Sequence, residues 1–486
     1  MELEQTILRA GWLGGASEIP RCLPDAIRKN YILRILFCTL ILALLYFLSG
    51  LFSLAAESAQ PGITPIWLPS GVAFAAFYFF GIRLWPGVFL GMYLIALAVG
   101  IPVEVATVAA FGSVLEAAVP VAVLRYLGFR PELDKVKAVL AFALLGVTLG
   151  PMISASLGVM GFSYLMGGLS APASNLWLFW WLGNAIGIVT LGGFLLAWGR
   201  QWKIGTGAIV ELLLLGLALV YSATVAVAEA KEAVSVLFLF LGTPLLLLAG
   251  IRHGARGVTL LGLGLALTFL VIGAWIDPDC FRQADITYLF LDIAYVGVGV
   301  FTGLIVAAAF AEQRHYQFLH IRANYDYLTE LLNRAAFMDR MAVAMEAVEE
   351  QGASHCLLYL DLDGVKLVND TASHEAGDHL IRSAAETIKR AVRQRDCAAR
   401  MGGDEFAVLL WHCPLDRAHR IADEICREIS ATPFTWDEQR YEASISIGGT
   451  VMDAGSGDIQ AVMNRADAAC YQAKHMGGGR VVFPAG

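Results

Sequence analysis

The sequence predicts a polytopic α-helical membrane domain of about ten spans, followed by a cytoplasmic α+β domain with a central antiparallel sheet and flanking helices. Three observations predict it. Hydrophobic residues make up 57% of the 486 and charged ones 16%, with a mean hydropathy of +0.64, outside the range of soluble chains this long. Apolar stretches of near-bilayer length recur up to residue 310 and then stop. Beyond that point short apolar runs alternate with helix-like patterns, as in a small mixed domain.

The charge is split just as unevenly. Residues 1–310 carry 16 Lys+Arg against 16 Asp+Glu, and residues 311–486 carry 18 against 26, so the C-terminal part holds the whole net charge of −8. An acidic domain lacks the basic footprint that nucleic acid requires, which excludes that partner class. The eight cysteines, Cys38, Cys280, Cys356 and Cys470 among them, show no metal-like C-x-x-C spacing and fit a reduced cytosolic compartment.

Residues 1–30 form a polar, cytoplasmic N-terminal segment with Arg21, Arg28 and Lys29. The apolar run from Tyr31 is longer than the core of a signal peptide and lacks a small-residue cleavage site, so it is the first span. Further apolar stretches follow at 67–82, 84–100, 103–127, 136–160, 174–199, 206–228, 233–251, 254–276 and 286–310. Alternate connections hold Arg83; then Arg125, Arg130, Lys135 and Lys137; then Arg200 and Lys203; then Arg252 and Arg256. The other set holds only Lys231 and Arg282 beside Glu57, Glu229, Glu232, Asp277, Asp279 and Asp285. Basic loops stay on the cytoplasmic side, so both termini are expected there, with the chain in the inner (cytoplasmic) membrane and in contact with lipid.

Five polar residues interrupt the spans: Glu104, Glu116, Asn184, Glu211 and Asp292. A carboxylate at mid-bilayer costs about 2.5–3.5 kcal/mol on insertion scales, so each is expected to face the bundle interior or to be protonated. Glu116, deep in the fourth span, is the candidate sensing residue, as a ligand or proton site; a neutral carboxyl hydrogen-bonded to a neighbouring helix accounts for it equally well. Glu104 and Glu211 lie near span ends. The segments IWLPSGVAFAAFYFFGIRLWPGVFLG, FGSVLEAAVPVAVLRYLGFR and WLGNAIGIVTLGGFLLAW resemble the MASE group of integral membrane sensors, through Trp67, Pro69, Gly71, Trp85, Pro86, Glu116 and Gly183. That resemblance covers the 31–310 domain and names no stimulus.

Residues 311–325 turn polar, with Ala311, Arg314, Phe318, Ile321 and Tyr325 at 3–4 spacing, which predicts a short helical stalk. The domain over 326–486 then opens with DYLTELLNRAAF and a helix to about Glu350. The apolar run CLLYL reads as a buried central strand that delivers Asp361 at its end, with Asp363 two residues on. In DLDGVKLVNDTASHEAGDHL, Lys366 offers a cation for phosphate, and Asn369 and Asp378 offer the amide and carboxylate that read a guanine edge. In MGGDEF, Gly402 and Gly403 let the backbone turn sharply and approach a phosphate chain, and Asp404 and Glu405 supply hard oxygens of the kind Mg²⁺ prefers. The flanks CAAR and FAVLL read as two strands, so the glycines fall at a hairpin tip.

Asp361, Lys366, Asn369, Asp370, His374, Gly377, Asp378, Arg400 and Gly402 to Phe406, with Asp326, Thr329, Asn333 and Arg334, resemble GGDEF domains, the diguanylate cyclases, over 326–483. The resemblance implies a palm-like, nucleotidyl-cyclase-like fold and condensation of two GTP into cyclic di-GMP with release of two pyrophosphates. It implies Mg²⁺ (or Mn²⁺) on Asp361, the Leu362 carbonyl, Asp404 and Glu405, with Asp404 and Glu405 catalytic. GTP would be bound by Asn369, His374, Asp378, Lys366, Lys474, Gly402 and Gly403, and catalysis would need a homodimer. Arg393 and Asp396 match the family's R-x-x-D product-inhibition site, although the same spacing describes an ordinary ion pair at a helix end.

Three departures stand out: Glu330 where the family has glycine, Val365 for phenylalanine, and Gly478 for a phosphate-contacting arginine, with Arg480 close by. The rival expectations are an inactive GGDEF domain that only receives cyclic di-GMP through Arg393 and Asp396, and a transporter with a regulatory tail. Intact Asp361, Asp404 and Glu405 argue against the first, and the lack of an internal repeat argues against the second.

Overall fold

A computed structural model describes residues 31–56, 64–165, 172–199, 206–229, 234–276 and 286–484. The chain separates into two compact units, Met1–Arg314 and His315–Gly486. The N-terminal segment 1–30 and the loop residues Glu57, Arg200, Lys203, Lys231, Glu232, Asp277, Asp279, Arg282 and Asp285 lie outside the described residues, as do the side chains of Glu229 and Asp292.

All ten apolar stretches are helical. The first unit comprises α1 (Tyr31–Leu54), α2 (Leu68–Phe80), α3 (Trp85–Ala98), α4 (Val103–Tyr126), α5 (Val136–Leu165), α6 (Ala173–Trp198), α7 (Thr206–Glu229), α8 (Val234–Val271) and the start of α9 (Ile286–Asn324). The eighth and ninth stretches share α8, which is broken at Gly254, where φ is +67°. Among the described residues six helices are long and apolar enough to cross a membrane; α2, Ile82–Ala98 and Gly207–Ala218 are shorter. Pro69 and Pro86 sit in the first turns of α2 and α3, where a missing N–H is harmless. Among the described residues there are three π turns, Phe142–Leu149 within α5, Ile188–Gly192 within α6 and Ile272–Ile276 directly after α8.

These helices are apolar all round, so burial shows what composition does not. On α1, Leu36, Leu40, Leu44 and Leu48 are each about half exposed and lie four apart, one outward row, while Leu42 and Tyr46 are buried. Glu104 is exposed at the start of α4, and Glu211 on α7 pairs with Arg252 and His253 of α8, His253 Nε2 at 3.3 Å.

The second unit is built on a six-stranded sheet in the order β1-β3-β4-β2-β7-β8. These strands are β1 (Leu332–Asn333), β2 (His355–Asp363), β3 (Cys397–Gly402), β4 (Glu405–Leu410), β7 (Ser444–Met452) and β8 (Val481–Val482), and β5 (Phe434–Trp436) and β6 (Gln439–Tyr441) form a separate hairpin. The four central strands are antiparallel as expected, while β1 on β3 and β8 on β7 are parallel edges.

Strand β2 runs through the middle and is covered on both faces, hence its unbroken apolar run. Leu358 and Leu360 join Phe406, Val408 and Ile447 beneath α12 (His374–Ala391) and α13 (Leu415–Ala431). Leu357 joins Ala407, Leu409 and Met452 against Phe337 and Met341 of α10 (Arg334–Gln351) and Val462 of α14 (Ile459–His475). Val365, which replaces a phenylalanine, is buried in the first of these cores, so the exchange is a packing change.

The predicted stalk is helical as far as Asn324, the end of α9, and Tyr325 bridges to Leu332. Its Tyr316, Phe318 and Ile321 are all more than half exposed.

Candidate functional site

The predicted hairpin is present. Strands β3 and β4 pair in antiparallel register with an irregularity between Arg400 and Gly402, and the chain reverses at Gly403, whose φ of +56° is left-handed. A Cβ at Gly402 or Gly403 would meet nothing within 4 Å, so these glycines serve the turn and leave open space above it.

The hairpin docks on the end of β2. Asp361 lies opposite Glu405 in the ladder, and the Leu362 N–H donates to the Asp404 carbonyl at 3.0 Å. Asp361, Asp404 and Glu405 therefore share one end of the central strands. Lys474 on α14 places Nζ 2.5 Å from Asp361 Oδ1. Burial lifts the Asp361 carboxyl above its usual range; Lys474 opposes that, and the charges of Asp404 and Glu405 add to it. Burial alone would lower the Lys474 ammonium, yet Asp361 holds it above its ordinary value.

Tyr359, absent from the sequence reading, donates its hydroxyl to Glu405 Oε2 at 3.1 Å. Burial, then the Glu405 charge, push that phenol above its usual range. Asp363 faces elsewhere: it accepts from the hydroxyls of Ser444 (2.9 Å) and Ser446 (3.0 Å) and from the Gly479 N–H (3.2 Å). It fastens the Gly477–Gly479 loop, in which every φ is positive. Gly478, at φ +70°, would place a Cβ 3.3 Å from Asp363 Oδ2, and Arg480 Nε donates to the Gly478 carbonyl.

Among the described residues no three His, Cys, Asp or Glu side chains form a ready-made metal cage. The set fits the habit of Mg²⁺, which takes one or two carboxylates and completes its shell with water and substrate phosphates. A bound cation would also offset the burial that raises the Asp361 carboxyl and the lesser contributions of Asp404 and Glu405.

The second cluster forms where α11 (Val365–Thr371) meets α12. Gly377 gives Asn369 its place, since a Cβ there would lie 2.0 Å from Asn369 Oδ1, and Asp378 is the next residue along. Lys366 and His374 are exposed nearby in the chain, with Ser373 capping α12 by accepting from the Ala376 N–H.

The opening motif D-x-L-T…N-R has a structural task that the sequence did not disclose. Asp326 Oδ1 accepts from the N–H groups of Leu328 and Thr329, from the Thr329 hydroxyl and from Arg400 Nη1. Arg400 also donates from Nε and Nη2 to the Gly403 carbonyl, at 2.9 and 2.7 Å, and so braces the turn. Burial opposes ionisation of Asp326, but Thr329 and Arg400 outweigh it and hold the carboxyl below its usual range. Asn333 caps α10 by accepting from the Ala336 N–H. Glu330, where the family has glycine, keeps the left-handed backbone, at φ +55°.

Arg393 and Asp396 lie in the connection between α12 and β3, beside an open hollow lined by Arg393, Gln394 and Arg395. Asp396 meets Arg393 through its main-chain N–H, at 3.1 Å, and accepts from the Trp411 N–H at 3.0 Å. Their contact is thus a turn closed by a carboxylate, not a pairing of side chains.

An open two-glycine turn, clustered carboxylates and a sheet flanked by helices define a GGDEF domain that follows a helical membrane domain in the chain. Residues 38–314, more than half of the chain, match MASE1, and the chain belongs to that family. Residues 323–480 match the family described as diguanylate cyclase, GGDEF domain. Over 185 residues the chain is 35% identical to the probable diguanylate cyclase DgcE of Escherichia coli (strain K12), a match over 38% of this chain and 17% of that protein. It is 34% identical over 160 residues to the diguanylate cyclase DgcP of Pseudomonas aeruginosa, over 33% of this chain and 24% of that one. The chain thus matches less than a quarter of the length of either relative. The crystal structure of the coiled coil and GGDEF domain of DgcB from Caulobacter crescentus in complex with c-di-GMP is 33% identical, covering 36% of this chain and 92% of that one, with a TM-score of 0.35.

Proposed function

We propose that this chain is a membrane-bound diguanylate cyclase that condenses two GTP into cyclic di-GMP and two pyrophosphates, under the control of its MASE1 domain. The observation that carries the proposal is the gathering of Asp361, Asp404 and Glu405 at one end of the central strands, beneath a two-glycine turn open to a phosphate chain.

In this reading Asn369 and Asp378 hold the guanine edge, His374 lies at the nucleotide, and Lys366 meets the phosphates. The 3′-hydroxyl of each GTP attacks the α-phosphorus of the other; a P–O bond forms, the α–β P–O bond breaks, and pyrophosphate leaves. Asp404 takes or relays the hydroxyl proton, and Glu405 is kept in place by Tyr359. Asp361, the Leu362 carbonyl, Asp404 and Glu405 would hold Mg²⁺ or Mn²⁺, which when bound neutralises the triphosphate and eases ionisation of the attacking hydroxyl. Lys474 is then released from Asp361 toward the phosphates.

One domain holds one GTP, so two must face each other. The exposed Tyr316, Phe318 and Ile321 on α9 support a second copy as partner, since apolar side chains on a polar helix favour pairing. The loop charges support cytoplasmic termini in the inner membrane. Feedback by cyclic di-GMP at Arg393 is part of the same reading. A purely receptive role is less favoured, because Asp361, Asp404 and Glu405 are all present and gathered at one end of the central strands. The test is to incubate the purified full chain with GTP and Mg²⁺ and to measure cyclic di-GMP and pyrophosphate; absence of both with intact, dimeric protein would overturn the proposal.

A further inference from the structure

Five helices of the membrane unit meet around a single carboxylate. Glu116 on α4 is 1% exposed, and Asn184 on α6 donates from Nδ2 to its Oε2 at 3.0 Å. Its other oxygen makes no hydrogen bond of good geometry, and neither do the buried hydroxyls of Tyr46 on α1 and Ser70 on α2. Ser70 and Ser154 of α5 face the Glu116 carboxyl, while Ser113 of α4 and Trp67 flank the Tyr46 hydroxyl. All four serine and tyrosine side chains are buried.

The backbone around this cluster is jammed. A Cβ at Gly187 would lie 1.9 Å from the Trp67 carbonyl, one at Gly71 2.4 Å from the Gly187 carbonyl, and one at Gly150 2.5 Å from the Glu116 carbonyl. The Trp67 N–H donates to the Gly183 carbonyl at 2.9 Å, which fixes α2 on α6. Two of the three π turns lie on α5 and α6, the helices that bring Ser154 and Asn184, and such turns recur at functional sites.

We propose that this cluster is a binding site for one monovalent cation of sodium size. Among the described residues no Lys, Arg or His side chain neutralises Glu116. An uncompensated buried carboxylate is strongly unfavourable, so it gains a cation or loses its charge. A proton would satisfy one of the three oxygens that lack a good hydrogen bond, whereas an ion with five or six oxygen ligands would engage them together. The donors are carboxylate, hydroxyl and amide oxygens, which suit hard cations. One carboxylate is too little charge for a divalent ion in an all-protein cage. Close backbone packing favours a monatomic guest over an organic one.

This assignment deepens the sensor reading and rests on it only for its consequence, a change in cyclic di-GMP output. The test uses the full chain in nanodiscs and radiolabelled sodium, with choline keeping the ionic strength constant. Saturable binding of about one ion per chain is expected, lost in Glu116→Gln and weakened about tenfold, roughly 1.4 kcal/mol, in Ser154→Ala and in Tyr46→Phe. No saturable binding in the parent, or parental affinity in both milder variants, overturns the site. Cyclic di-GMP output is read from the same samples with sodium and with choline. Sodium binding with unchanged output upholds the site and removes the sensing role alone.

Discussion

Each half of this chain concentrates polar oxygen in one place, by opposite means. The membrane unit encloses a lone carboxylate, Glu116, among buried hydroxyls and one amide. The GGDEF domain gathers Asp361, Asp404 and Glu405 at a half-exposed rim and tempers them with Lys474 and Tyr359. A closed cage can hold only what is small and stripped of its hydration. An open acidic rim takes a metal that arrives with phosphate and water. Enclosure, more than residue type, decides what a carboxylate binds.

The sharpest test of the rim is Asp404→Asn, a near-isosteric change. Turnover of GTP is expected to fall about 10²–10⁴-fold, the usual worth of a proton-transfer group, with thermal stability unchanged. Parental turnover would leave the rim without a chemical role.

Next in size is Gly377→Ala, which sets a methyl against Asn369 Oδ1. It should raise the KM for GTP about tenfold, roughly 1.4 kcal/mol of binding, with a smaller change in kcat. Equal loss of both constants would point to a folding defect.

Arg393→Ala and Asp396→Ala separate regulation from structure. The first should leave initial rates and stability near parental while progress curves stay linear for longer. The second strands the part-buried Trp411 N–H, while water reaches the exposed Arg393 N–H, and should destabilise the domain by about 1 kcal/mol in urea unfolding. Equal effects would mean that the two residues act as one site.

The Asp326 brace carries a pH signature. Its carboxyl is held below the ordinary value near 3.9, so its contribution is present above that pH and disappears as pH falls through the folded-state value. Asp326→Asn should therefore weaken the domain near neutrality, and the gap to the parent should close in acid. A gap of constant size would exclude the charge as its cause.

Smallest is Glu330→Gly, which removes a side chain from a left-handed position and should stabilise the domain by about 1 kcal/mol. A loss of stability would show that the Glu330 side chain contributes contacts beyond its backbone.

The rim was legible because its signals are local. Two glycines between strand-like flanks foretold the hairpin at Gly403, and the run of apolar residues before Asp361 foretold a strand covered on both faces. Contacts that span the sequence were not legible. Arg400 reaches Asp326 across 74 residues and Asp363 ties to Gly479 across 116, and neither leaves a spacing to read. The mixed edges of the sheet escaped for the same reason, since β1 and β8 are two residues each. In the membrane unit the apolar stretches marked the helices, but uniform hydrophobicity hid which faces turn inward. Only Glu116 and Asn184, polar against that background, signalled the interior, while Tyr46, Ser70 and Ser154 gave no sign of meeting them.

The Gly477–Gly479 loop bears on how this domain can change over generations. The GGDEF pattern that the sequence resembles has arginine where Gly478 stands. Restoring that arginine would demand a left-handed backbone from a long side chain, with its Cβ against the carboxylate that fastens the loop. A Gly478→Arg exchange is thus expected to strain the loop unless Asp363 or its serine partners have shifted first. The glycine works as a ratchet: drift into it is easy, and the return path needs several coordinated replacements. Lineages that share the triple glycine should therefore keep it, and vary instead at Arg480.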